Sequence, residues 1–63
     1  MSPELIRAAR QFLGMSQEDF ARLAGVRRAY TVSRWETGKQ QVALRHQVKI
    51  VRAVARAERR RQG

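Results

Sequence analysis

"GVRRAYTVSRWETG", residues 25–38, decides the fold. Glycine stands at both ends of the segment. Val32 and Trp35 lie three apart, and Tyr30 and Arg34 lie four apart. At helical spacing these pairs fall on opposite sides. The stretch therefore predicts a tight turn, then a short basic helix from about Arg28 or Ala29 to Thr37. Val32 and Trp35 face a core. Tyr30 and Arg34 face outward, with Ala29 and Ser33 beside them. Gly25 suits a corner where the backbone needs positive φ.

Upstream, Ser16 predicts the start of a helix, and Asp19 three residues on makes "SQED" a capping box with Asp in place of Glu. Phe20, Leu23 and Ala24 face one way, and Gly25 ends this helix. So short a helix is stable only when packed on neighbours. Before it, Ser2 caps a first helix with Pro3 at its first position and Glu4 near its positive end. Leu5, Ile6, Ala9, Phe12 and Leu13 give that helix an apolar face, and Gly14 closes it.

Downstream, a fourth helix is expected from about Ala43 into the high 50s. Arg45, Lys49, Arg52, Arg56, Arg59 and Arg60 fall within about 100° of arc at 3.6 residues per turn. Leu44, Val48, Val51 and Ala55 form one apolar stripe; Ile50, Val54 and Ala57 form another. So wide an apolar surface faces more than one neighbour.

Composition narrows the class. The chain has 63 residues, a formal charge of +9, and 14 Lys and Arg against 5 acids. Its length supports one domain, 1–63, and its basic balance points to a polyanion. Twelve of the 14 basic residues are arginine, which suits bidentate contact with phosphate and guanine. Cysteine is absent, so disulfides and thiolate zinc sites are excluded. No apolar run approaches the roughly 20 residues that span a bilayer. "MSPELIRAAR" has no apolar segment of the signal-peptide kind. A cytoplasmic location is expected. No Ser-His-Asp set and no phosphate-cradling glycine loop occurs, so neither an enzyme nor a cofactor is implied. His46 has no ligand at metal-binding spacing and reads as a surface residue. Glu18 and Asp19 are explained by capping and the helix dipole.

Two short helices about a glycine turn outline a helix-turn-helix over about residues 16–37. In "LGMSQEDFARLAGV" and "VSRWETGK" the chain resembles the Cro/repressor-like (XRE) helix-turn-helix regulators. The likeness runs from near Leu5 to near Val54, with Met15, Ser16, Gln17, Glu18, Ala21 and Gly25 at the family's marked positions. It implies an all-α fold of four helices, the last in the basic C-terminal segment, about 43–63, and lacking the fifth helix that the family often adds. One departure stands out. Eight residues, "RRAYTVSR", separate Val26 from Trp35, one more than is usual. Keeping Val32 and Trp35 on the core puts the extra residue in the turn, near Arg27 and Arg28. The alternative is a bulge near Ala29 or Tyr30. At position 47 the family has a core leucine and this chain has Gln47, which places it at an edge or a subunit contact.

The resemblance assigns roles. The helix after the turn reads bases in the major groove. Arg34 is the candidate for bidentate contact with guanine, with Tyr30, Thr31, Arg27 and Arg28 near the groove. Ser16, Gln17, Ser33, Lys39, Gln40 and Gln41 are candidates for the DNA backbone. Arg10 and Glu36 resemble the partly buried ion pair of phage repressors, in which the arginine also faces a phosphate. Trp35 is core. Tyr30 is either a DNA contact or solvated surface. The arginines of the fourth helix are either a solvated face or a phosphate- or RNA-binding track. A homodimer is expected through Gln47, Ile50, Val54 and Ala57, bound to a palindromic operator on double-stranded DNA. The reading is a sequence-specific transcriptional regulator, a repressor of phage or mobile-element type. The alternatives are an antitoxin or adaptor that binds a partner protein through its last helix, and a non-specific nucleic-acid binder.

Overall fold

The computed structural model describes residues 1–62. Four helices follow one another: α1, Pro3–Phe12; α2, Gln17–Ala24; α3, Ala29–Glu36; and α4, Leu44–Gln62. No strand occurs among the described residues. The expected basic segment 43–63 is one helix, longer than the sequence predicts; its last residue, 63, lies outside the described part.

The helix starts follow the capping residues. Ser2 Oγ accepts from the Leu5 N–H at 3.2 Å, with Pro3 as the first helical residue. Ser16 Oγ accepts from the Asp19 N–H at 3.1 Å. The expected capping box is half made, because the Asp19 carboxylate accepts from Arg22 Nη1 at 2.9 Å. α2 ends on Gly25 at φ 87°. Val26 N–H donates to Ala21 O and Gly25 N–H to Arg22 O, the paired bonds of a Schellman turn.

The core is Ile6, Phe20, Ala21, Ala24, Val32, Trp35, Val42 and Ile50, with Ala9, Leu13, Met15, Leu23, Val26 and Val54 packed around it. Ala21 and Ala24 are small where α2 meets its neighbours, which lets the short helices approach closely. From α1 only Ile6 is fully buried; Leu5 and Phe12, expected on the same face, are 59% and 37% exposed.

α4 corrects two expectations. His46 is buried, not at the surface. Its Nδ1 donates to Ala24 O at 2.7 Å, and its ring lies tilted against Trp35 with centroids 5.6 Å apart. The bond satisfies a carbonyl in the last turn of α2, which has no partner within that helix. With His46 turned inward, Ile50 and Val54 at successive four-residue steps turn inward too. Ile50 is fully buried and Val54 packs on the core, so this stripe is not the free surface expected for a dimer. Ala57 is half-buried on the same side. Gln47 is also half-buried, and its Nε2 donates to Val42 O at 2.9 Å. Its amide therefore carries no unpaired penalty and ties the α3–α4 loop to α4.

Candidate nucleic-acid interface

α3 is regular α-helix from Ala29 to Glu36, without a bulge. The extra residue thus lies in the turn 25–28, where Arg27 and Arg28 are both exposed. Arg28 precedes the helix in extended conformation and gives it no side-chain cap. Burial of Val32 and Trp35 fixes the rotation of α3 and leaves Tyr30, 67% exposed, on its outer face.

Arg34 organises that face. Its Nε donates to Gln40 Oε1 at 3.2 Å, its Nη1 to Tyr30 Oη at 3.4 Å and its Nη2 to the Lys39 carbonyl at 3.4 Å. The guanidinium carbon lies 5.8 Å from the Tyr30 ring centre, within cation–π range. One side chain thus joins α3 to the loop that follows, with a candidate base contact on one side and two candidate backbone contacts on the other. These bonds are solvent-exposed, so DNA groups can replace them at small cost. Thr31 and Ser33 are half-buried, while Lys39, Gln40 and Gln41 are exposed.

The second centre lies at the buried last residue of α3. Glu36 is 3% exposed at its side chain. Arg10 Nε donates to its Oε2 at 2.6 Å and Arg10 Nη2 to its Oε1 at 3.3 Å. Arg10 Nη1 donates to Met15 O at 3.1 Å. Gln17 Nε2 and Arg7 Nε each reach Glu36 Oε1 at 3.4 Å. Burial pushes the Glu36 pKa up, but hydrogen bonds from Arg10, Gln17 and Arg7 and the Arg10 charge outweigh it, and the carboxyl is held below its ordinary range. The hydrogen bond to Glu36 raises Arg10 in turn. Arg10 spends three of its five N–H groups inside the chain, which leaves two for an outside acceptor. Gln17 is half-buried and Ser16 exposed, beside the start of α2.

Sequence reasoning missed Arg7, whose signal was its three-residue spacing from Arg10. The structure joins Arg34 with Tyr30, Lys39 and Gln40, and Arg10 with Gln17. Arg27 and Arg28 stand apart at the turn. Among the described residues no group of three His, Cys, Asp or Glu side chains is placed to hold a metal, and no helix is long and apolar enough to cross a membrane.

Comparison with known proteins agrees with this geometry. A family model described as helix-turn-helix matches residues 6–57. Neither the curated proteins nor the solved structures gave a significant match. The matched span contains most of the chain, including α2, the turn and α3. The chain belongs to the Cro/repressor-like (XRE) helix-turn-helix family of DNA-binding transcription regulators.

Proposed function

We propose that this chain is a sequence-specific repressor of phage or mobile-element type, acting on its own operon, that reads the major groove with α3. The observation that carries the reading is the placement of Arg34. Its guanidinium is held by Tyr30, Gln40 and the Lys39 carbonyl, on the face of α3 turned away from the core. A guanidinium held in place loses less side-chain freedom when it grips the O6 and N7 of guanine. Tyr30, Thr31, Arg27 and Arg28 complete the base-facing set. Ser16, Gln17, Ser33, Lys39, Gln40, Gln41 and the remaining N–H groups of Arg10 hold phosphates. Two copies on one duplex read a palindrome with half-sites about one turn apart.

The test is selection from a random duplex pool at about 150 mM salt, where loose phosphate binding is weakened. The wild type is expected to enrich a palindrome, and Arg34→Ala to lose discrimination at a guanine position within it. If neither protein enriches any sequence, the specific-repressor reading fails.

A further inference from the structure

Trp35 carries a donor that no group of the chain accepts. Its side chain is buried, and its indole Nε1–H has no hydrogen-bond partner among the described residues. An indole nitrogen can only donate. Left buried without an acceptor it costs stability, so it calls for an acceptor from outside the chain. Trp35 also forms part of the wall of a cavity of about 310 Å³. The cavity lies where α1 begins, α3 ends and the α3–α4 loop returns to α4. Pro3, Gly38, Gln40, Gln41 and Gln47 line it as well.

The wall suits an anion. It contains no acidic side chain, and Glu4, the acid in the first turn of α1, lies outside it. Pro3 is the first residue of α1, so the positive end of that helix lies at the rim. Gln40 gives its Oε1 to Arg34, which leaves its amide N–H groups to donate elsewhere. Among the described residues the backbone N–H groups of Gln41 and Val42 donate to no backbone acceptor. Gln47 takes the place of a leucine, keeps this side of the cavity polar, and fixes the loop through its bond to Val42 O at 2.9 Å.

We propose that this cavity is a phosphate site. A phosphate oxygen accepts the Trp35 indole N–H, and the donors of Gln40 and Gln41 hold the others. Two sources supply that chemistry: the backbone of bound DNA, and a free phosphorylated small molecule. Gln40 joins the site to the outer face of α3, because it also positions Arg34 at 3.2 Å. An anion that binds the Gln40 amide therefore acts on the side chain that holds Arg34. That link to base reading rests on the DNA-binding proposal; the site itself does not.

The chain has one tryptophan, so its indole N–H gives a single proton–nitrogen NMR signal. The first arm titrates inorganic phosphate from about 1 to about 50 mM without DNA, the range expected for so small a ligand. Sodium chloride is withdrawn in step to hold the ionic strength constant. The indole signal is expected to move and to saturate. Gln41 is exposed, so Gln41→Glu keeps the fold and brings a negative charge to the cavity; its midpoint is expected about tenfold higher. The second arm titrates a mixed-sequence duplex in phosphate-free buffer, because backbone contacts carry no sequence information. Movement of the indole signal by the duplex assigns the site to the DNA backbone. Movement by free phosphate alone assigns it to a free phosphorylated molecule. An indole signal that stays still in both arms overturns the proposal, and so does one that moves alike in the wild type and Gln41→Glu. Movement confined to arginine side-chain signals means that phosphate only coats the basic surface, and overturns it too. Neither arm uses a selected operator, so a failure here is distinct from a failure of the operator selection.

Discussion

Arg10 Nε lies 2.6 Å from Glu36 Oε2 and fastens α1 to the last residue of α3. The bond closes a loop of chain that contains all of α2 and the turn, so α3 is held both by apolar burial of Val32 and Trp35 and by this ion pair.

Glu36→Gln leaves the Arg10 charge without its counter-charge. Breaking a buried pair costs about 3–5 kcal/mol. Arg10 keeps 19% exposure, so about 2–3 kcal/mol is expected at pH 7. The pH dependence has a definite sign. The folded carboxyl titrates below its unfolded value of about 4.3, so its stabilisation is complete above that value and is lost as pH falls through the folded one. Urea denaturation of both proteins at pH 7 and at about pH 3 checks this. The gap between them is expected to narrow in acid; an equal gap at both pH values refutes the assignment.

His46→Phe keeps an aromatic ring beside Trp35 but removes the donor to Ala24 O. An unpaired buried carbonyl costs about 1–3 kcal/mol. The urea midpoint is expected to fall with little change in slope. A variant as stable as the wild type means that the Nδ1 bond contributes nothing net.

Gly25→Ala tests the corner. Gly25 sits at φ 87°, and an added Cβ would meet Lys49 Nζ at 2.7 Å. The left-handed backbone alone costs an alanine about 1–2 kcal/mol, or roughly 4–16 °C in Tm for a domain of this size. Gly14, at φ 66°, has nothing within 4 Å of such a Cβ, so Gly14→Ala reports the backbone cost alone. Lys49 ends in a flexible amine that can swing aside. The two variants are therefore expected to melt within a few degrees of each other; a much larger loss at Gly25 means that Lys49 is fixed there.

The elements with strong local signals were legible in the sequence. Ser2 and Ser16 marked helix starts by capping chemistry, Gly25 marked the corner, and the Val32–Trp35 spacing gave the rotation of α3. α4 was harder, because Leu44-Val48-Val51 and Ile50-Val54 are equally apolar and helical spacing ranks neither first. The structure chooses through His46, whose bond to Ala24 O and packing on Trp35 bring Ile50 with it. A lone histidine in a basic segment gives no sequence sign of that role. Arg7 was hidden for a related reason: its partner Glu36 is 29 residues away. The DNA-facing candidates were easier to list than to group, since only the folded loop brings Gln40 and the Lys39 carbonyl to Arg34.

Arg34 and Lys39 are adjacent at the site, yet they predict different losses. On the proposed reading, Arg34→Ala removes a base-reading group and is expected to cost about 1–3 kcal/mol on the selected sequence, with a smaller effect on an unrelated duplex. On the same reading, Lys39→Ala removes a phosphate contact. It is expected to weaken binding equally on both duplexes and to reduce the slope of log K against log salt by about 0.9. Lys39 holds Arg34 through its backbone carbonyl, so this variant leaves the Arg34 guanidinium in place. Titrations of the three proteins on both duplexes at several salt concentrations separate the two roles. If Arg34→Ala instead weakens both duplexes alike and lowers the salt slope, Arg34 is a phosphate anchor and the bases are read from Tyr30 and the turn.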